Sequence, residues 1–127
     1  QLASDRLVTP TTTEIELSLE ARTILSITRN RGVIELKSNN TEFESAQRML
    51  AVYVEQSADT HVMFRSRIEP EITVKFLDGF RQLCDAGLVM HQVGGEFSLT
   101  SKGFEQAKAI NPAEVSDSAA MGTVLSF

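Results

Sequence analysis

Apolar residues recur three or four positions apart in the stretch 70–87, the spacing of a helix packed on a core. Pro70 suits the first turn of a helix, and Gly87 suits the position just after the last turn. We therefore predict a long helix here with one buried face. That face carries Ile72, Phe76, Phe80, Leu83 and Cys84.

A β-hairpin is predicted directly after this helix. The dipeptide Gly94-Gly95 tolerates the positive φ angles of a two-residue turn and separates two short runs, 88–93 and 96–100. A short closing helix follows, with Ser101 as its predicted N-cap and its end near Ile110.

The turn also fixes the predicted register of the hairpin. With two residues in the loop, Gln92 lies opposite Phe97, and Met90 lies opposite Leu99. Because side chains alternate across a strand, one face of the hairpin is then mainly apolar, and a slip by one residue would invert both faces. The predicted apolar face carries Leu88, Met90, Phe97 and Leu99.

The front of the chain predicts two more helices with a strand between them. Ser18 is a plausible N-cap for a helix over about 18–31, and the run VIELK at 33–37 is a short strand. A second helix is predicted over 41–56, because Thr41 and Glu44 match a capping box. The run LAVYV inside it nevertheless has strand propensity.

Apolar and polar residues alternate over 60–68, which predicts a half-buried strand before the long helix. Val62, Phe64 and Ile68 fall on one side. The other side carries His61, Met63, Arg65 and Arg67.

At 127 residues the chain predicts one domain, flanked by two segments of a different character. Residues 1–13 lack helical periodicity and are expected to be an arm or linker. The domain itself is placed at 14–110. Residues 111–127 are expected to form a mobile tail, although Val124, Leu125 and Phe127 offer apolar side chains that would dock on a partner or on the domain itself.

The order of elements resembles the winged helix-turn-helix family. The resemblance covers about 18–110 and depends on FRQLCDAGLVMHQ followed by GGEFSLTSKGFEQA: a helix ending in Gly, a strand, a glycine turn and a returning strand. It implies an α+β, winged-helix-like fold with three to four helices, a small antiparallel β-hairpin wing and an extra strand inserted before the third helix. LSLEARTIL and FSLTSKGFEQA also look like winged-helix modules at the C-terminus of larger bacterial effector proteins.

The resemblance implies a DNA-binding or transcription-regulator-like module of a bacterial, cytoplasmic protein, with the long helix as the recognition helix. Cations would neutralise phosphates and amides would read base edges of double-stranded DNA. The candidate contact residues are Arg22, Arg29, Arg65, Arg67, Lys75, Arg81 and Gln82.

Two features favour a protein partner instead. Acidic residues outnumber basic ones 17 to 12, giving a net charge of −5, whereas a nucleic-acid domain usually carries a basic face. The segment 57–69 is also too long for the 3–4-residue turn of a helix-turn-helix. The alternative is therefore a protein-interaction or dimerisation module, such as the regulatory or C-terminal domain of a larger protein.

No residue pattern predicts catalysis, a metal or another cofactor. His61 and His91 have no carboxylate or thiol at metal-binding spacing, and no phosphate-binding glycine motif occurs. The single cysteine, Cys84, excludes an internal disulfide and suits a reducing compartment. No run approaches the roughly 20 apolar residues that a membrane-spanning helix needs.

Overall fold

The computed structural model describes residues 16–38, 50–66 and 68–126. These residues form an α+β fold. The helices are α1 (Leu19–Ile27), α2 (Pro70–Asp85), α3 (Ser101–Ala109) and α4 (Ser116–Ala119), with a 3-10 helix (Pro112–Val115) before α4. The strands are β1 (Val33–Ser38), β2 (Leu50–Ser57), β3 (Thr60–Phe64), β4 (Val89–Val93), β5 (Glu96–Leu99) and β6 (Thr123–Ser126).

The six strands form one antiparallel sheet in the order β4-β5-β1-β2-β3-β6. This sheet is larger than predicted: the strand at 33–37, the strand before the long helix and the hairpin were expected, whereas β2 and β6 were not. The hairpin β4–β5 lies at one end, and the chain's last strand, β6, lies at the other.

One face of the sheet carries the core. Ile34 pairs with Val54, and Val54 pairs with Val62, so these buried side chains lie on the same side. The helices α1 and α2 pack there, and the ring of Phe76 from α2 stacks on Phe64 at 3.9 Å. The prediction of a long helix with a buried face is confirmed: Phe76, Phe80 and Leu83 are buried and Ile72 and Cys84 are half-buried.

The predicted second helix is wrong over its last seven residues, because Leu50–Ser57 is the strand β2. Residues 41–49 lie outside the described part of the chain. The β-branched and aromatic run LAVYV pairs with β1 on one side and β3 on the other. These two rows of tertiary hydrogen bonds outweigh the helical signal of the capping box.

The first helix and the inserted strand are shorter than predicted. Ser18 caps α1 as expected, accepting from the Ala21 N–H, but the helix ends at Ile27. There the Thr28 hydroxyl bonds both the N–H and the carbonyl of Val33, which turns the chain into β1. The strand β3 ends at Phe64, and Ile68, predicted on its apolar side, is 92% exposed.

The hairpin is confirmed, but its predicted register is wrong. Val89 pairs with Leu99 and His91 pairs with Phe97, because β4 carries one extra residue, Gln92, between His91 and Val93. This bulge shifts β4 by one position, so Val89 is buried and Met90 is exposed.

The cap of the closing helix also differs by one residue from the prediction. The hydroxyl of Thr100, rather than Ser101, accepts the Gly103 N–H at 3.0 Å.

The last segment belongs to the fold. The 3-10 helix and α4 pack on α1, and β6 pairs with β3 from Thr123 to Ser126. Two expectations were stated for this segment, a mobile tail and docking of its apolar side chains. Docking on the domain describes Val124 and Leu125, which lie in β6. Phe127 lies outside the described residues.

Candidate functional site

Of the candidate arginines, Arg22 lies on α1, and Arg29 and Arg65 lie just after the ends of α1 and β3. Arg22 pairs with Glu114 of the 3-10 helix at 3.6 Å, and Arg29 is half-buried just after the helix. Arg65 follows Phe64, whose side chain is buried in the core, and it acts electrostatically on Tyr53. Because the flanking Val52 and Val54 face the core, Tyr53 lies on the opposite face of the sheet. The sequence left open whether these arginines meet; Arg22 lies on the helical side of the sheet, and Arg65 acts on Tyr53 on the other side.

Arg67 lies outside the described residues. The exposed face of α2, the predicted recognition helix, carries charges of both signs. Lys75 and Arg81 are exposed there, but Arg81 pairs with Asp78 at 3.8 Å, and both side chains are well hydrated. Glu71 and Asp85 lie exposed at the two ends of the helix. A phosphate backbone approaching this face would meet acids as well as cations.

Gln82 has a structural partner at each end of its amide. Its carbonyl oxygen accepts the Ser18 N–H at 2.7 Å, and its amide nitrogen donates to the Glu16 carbonyl at 3.2 Å. Ser18 is the N-cap of α1, so this side chain joins the start of α1 to α2. Reading a base edge would require these bonds to break.

The outer face of the sheet carries an ion-paired cluster. Glu55 of β2 lies 2.7 Å from Arg31 and 3.7 Å from His61 of β3. Further along, the Lys37 ammonium lies 4.6 Å from the centre of the Tyr53 ring. Sequence patterns did not reveal this cluster, because β1 and β2 are joined by pairing rather than by spacing along the chain.

Among the described residues, Tyr53 and Cys84 have pKa values above their ordinary range. Burial is the main cause of the raised pKa of Tyr53; Arg65 acts against it and Glu35 adds to it. Burial, and to a smaller extent Asp85, raises the pKa of the Cys84 thiol. A thiol with a raised pKa holds its proton at neutral pH and reacts slowly.

The two edge strands of the sheet differ in regularity, although both expose apolar side chains. The edge strand β4 is interrupted by the bulge at Gln92 and ends in a glycine turn. The edge strand β6 has a regular register with β3 and contains no charged residue and no proline. Val124 of β6 is 62% exposed, and Met121 just before it is 54% exposed.

Apolar residues on an unprotected edge are typical of a site where another strand adds. The apolar character of Val124 is readable from the sequence. Its edge position is not, because that depends on which strand β6 joins.

No family model, curated protein or solved structure matches the chain. Within the described ranges, no helix is long and apolar enough to cross a bilayer. The same residues bring together no group of three His, Cys, Asp or Glu side chains suited to a metal ion.

Proposed function

We propose that this chain is a protein-interaction module that associates with a second copy of itself through the edge strand β6. The observation that carries the proposal is that β6 is a regular edge strand, whereas the other edge strand, β4, is interrupted by a bulge. No described residue pairs with the outer side of β6, and the strand has none of the charges, prolines or bulges with which proteins usually protect an edge.

A second copy is a suitable occupant because antiparallel pairing is self-complementary. Two β6 strands related by a two-fold axis would present the same backbone groups to each other, as closed homodimers do. The local charge also permits the approach: Thr123–Ser126 carries none of the acidic residues that give the chain its net charge of −5. Pairing would cover part of the exposed apolar surface of Val124.

A matched pair of substitutions tests this proposal. Val124→Lys places a charge on β6, and Val93→Lys places the same charge on β4, where the valine is 67% exposed against 62% for Val124. Sedimentation velocity should give a dimer for the unchanged protein and for Val93→Lys, and a monomer for Val124→Lys at the same concentration.

A monomer for the unchanged protein at high concentration, or equal loss of the dimer in both variants, would reject pairing through β6. Deleting 113–127 is a poorer test, because it would also remove α4 and part of the 3-10 helix, which pack on α1. Far-UV circular dichroism of both lysine variants should match the parent and so exclude unfolding.

DNA binding by a winged-helix-like fold is the second candidate. It is supported by the order of α2, the hairpin β4–β5 and α3, with β1 beside the hairpin, and by exposed Lys75 and Arg81 on α2. Gel-shift titration with mixed duplexes at low salt tests it. Binding should fall steeply with salt and weaken in a Lys75→Ala, Arg81→Ala double variant; no shift at any concentration would reject it.

A further inference from the structure

A cleft of about 170 Å³ opens between α1, α2 and α4. Its walls are mainly apolar: Leu19 from α1, Ile72 and Phe76 from α2, and Met121 from the turn after α4. Phe76 is only 2% exposed, whereas Leu19 is 41% and Met121 54% exposed. Phe76 therefore lies deep in the cleft, and the other two side chains lie near its mouth.

The size of the cleft decides between two classes of occupant. Sites for drug-sized small molecules are usually about 300–1,000 Å³. An apolar cavity of about 150 Å³ holds a molecule the size of benzene. The cleft therefore fits one large apolar side chain, such as that of phenylalanine or leucine, better than a whole cofactor or metabolite.

The charges around the cleft favour particular residues on either side of that apolar side chain in the bound segment. Glu20 of α1 and Asp117 of α4 line it together with one cation, Lys75 of α2. A shallower hollow beside it shares Glu20 and Lys75 and adds Asp78, whose carboxylate pairs with Arg81. Acids thus exceed cations among the charged groups lining the cleft, as they do in the whole chain.

We infer that the cleft binds a segment of another protein in which one large apolar side chain is flanked by lysine or arginine. The apolar side chain enters beside Phe76, and the flanking cations lie near Glu20 and Asp117. Buried apolar anchors usually dominate the affinity of such contacts, while charges at the rim direct association and specificity. This site is distinct from the self-association proposed for β6.

The test uses three nine-residue peptides that differ only at their centre. One has Phe between two Lys residues, one has Ala between two Lys residues, and one has Phe between two Glu residues. Binding is followed by NMR of methyl-labelled methionines, with the Met121 signal assigned from a Met121→Leu variant. The Lys–Phe–Lys peptide should shift the Met121 methyl signal in a saturable way, and the other two should bind at least about tenfold more weakly.

Charge variants of the protein provide the second arm. Glu20→Gln with Asp117→Asn should weaken the Lys–Phe–Lys peptide about threefold to tenfold and reduce its advantage over Glu–Phe–Glu. Asp85→Asn, which neutralises an exposed acid at the far end of α2, is the matched control and should leave affinity unchanged.

Three outcomes would overturn the inference. Equal binding of the Ala peptide would remove the apolar anchor, and equal binding of the Glu peptide would remove the charge selection. In the monomeric Val124→Lys variant, a Met121 signal that still moves with protein concentration, and not with any peptide, would assign the cleft to a second copy of the chain. Peptide affinity should be the same in Val124→Lys, so failure here is separable from failure of the β6 proposal.

Discussion

The two ends of the sheet are built in different ways. At one end, β4 and β5 are joined by two residues and pair locally, and a bulge interrupts the outer strand. At the other end, β6 reaches β3 from the far part of the chain, with Val124 opposite Val62, and its register is regular. The end made by local pairing has a disrupted edge strand, whereas the end made by distant pairing has a regular one, with no pairing partner on its outer side among the described residues.

The two ends therefore differ in the regularity of their edge strands. A hairpin needs only its own turn and neighbours, so its outer strand can vary without loss of the sheet. The strand β6 instead pairs with a strand far earlier in the chain, and it contains no charged residue. Because β6 lacks charges, prolines and bulges, it remains able to pair with another strand.

The largest expected effect comes from a matched pair of glycine substitutions, one at each end. A side chain at Gly122 would overlap Val62 and meet the Phe64 ring, so Gly122→Val should destabilise the fold by up to about 3 kcal/mol and displace β6. Gly94→Ala has open space around it but a φ of +56°, so it should cost about 1–2 kcal/mol at the hairpin turn.

Urea denaturation measures both losses, and hydrogen exchange locates them. Gly122→Val should speed exchange in β3 and β6, and Gly94→Ala should speed it in β4 and β5. Equal effects at both ends from either substitution would mean that the two ends are not independent parts of the sheet.

A smaller effect is expected from the titration of Tyr53 on β2. The folded chain holds the phenol proton more tightly than the unfolded chain does, because burial raises the pKa. This contribution to stability is present in full below about pH 10 and is lost as the pH rises through the folded pKa. Tyr53→Phe should flatten that alkaline decline.

The protein has one tyrosine and no tryptophan, so tyrosinate absorbance measures Tyr53 directly. The apparent pKa should be higher in the native protein than in denaturant. If displacing β6 loosens that end, the Tyr53 pKa in Gly122→Val should fall towards 10, while Gly94→Ala should leave it unchanged. An identical native and denatured titration would contradict burial of this ring.

The smallest expected effect is on the 3-10 helix, which precedes α4 and β6. Arg22→Ala removes a contact with Glu114 between side chains that are 38% and 56% exposed, so stability should change by no more than about 0.5 kcal/mol. Arg81→Ala removes a more exposed pair within α2 and is the control. Only Arg22→Ala should speed hydrogen exchange in the 3-10 helix; the same change in both variants would show that the contact does not anchor that segment.

The sequence was most informative where structure is local. The α2 helix, its buried face and the glycine turn follow from spacing and turn chemistry over fewer than thirty residues. The bulge at Gln92 was not predictable, because no residue there demands it, and one extra residue reverses which of Val89 and Met90 is buried. Residues 50–57 form a strand rather than a helix because they pair with β1 and β3, and the local sequence does not reveal these partners.

The candidate site was predictable only in part for the same reason. Spacing along the predicted helix 18–31 and alternation along the predicted strand 60–68 identified two pairs of arginines, but neither pattern says on which side of the sheet each lies. The cleft beside Met121 needs three helices from distant parts of the chain, so no short motif marks it.

The amide of Gln82 has a consequence for any mutational survey of α2. Because it links the helix to Ser18 and Glu16, more than sixty positions earlier, replacing it disturbs the point at which the first helix begins. If such a variant lost an interaction with a partner, the cause could equally be a displaced α1 or the loss of a direct contact by Gln82. Measuring the thermal stability of the same variant distinguishes a residue that contacts a partner from one that holds two helices together.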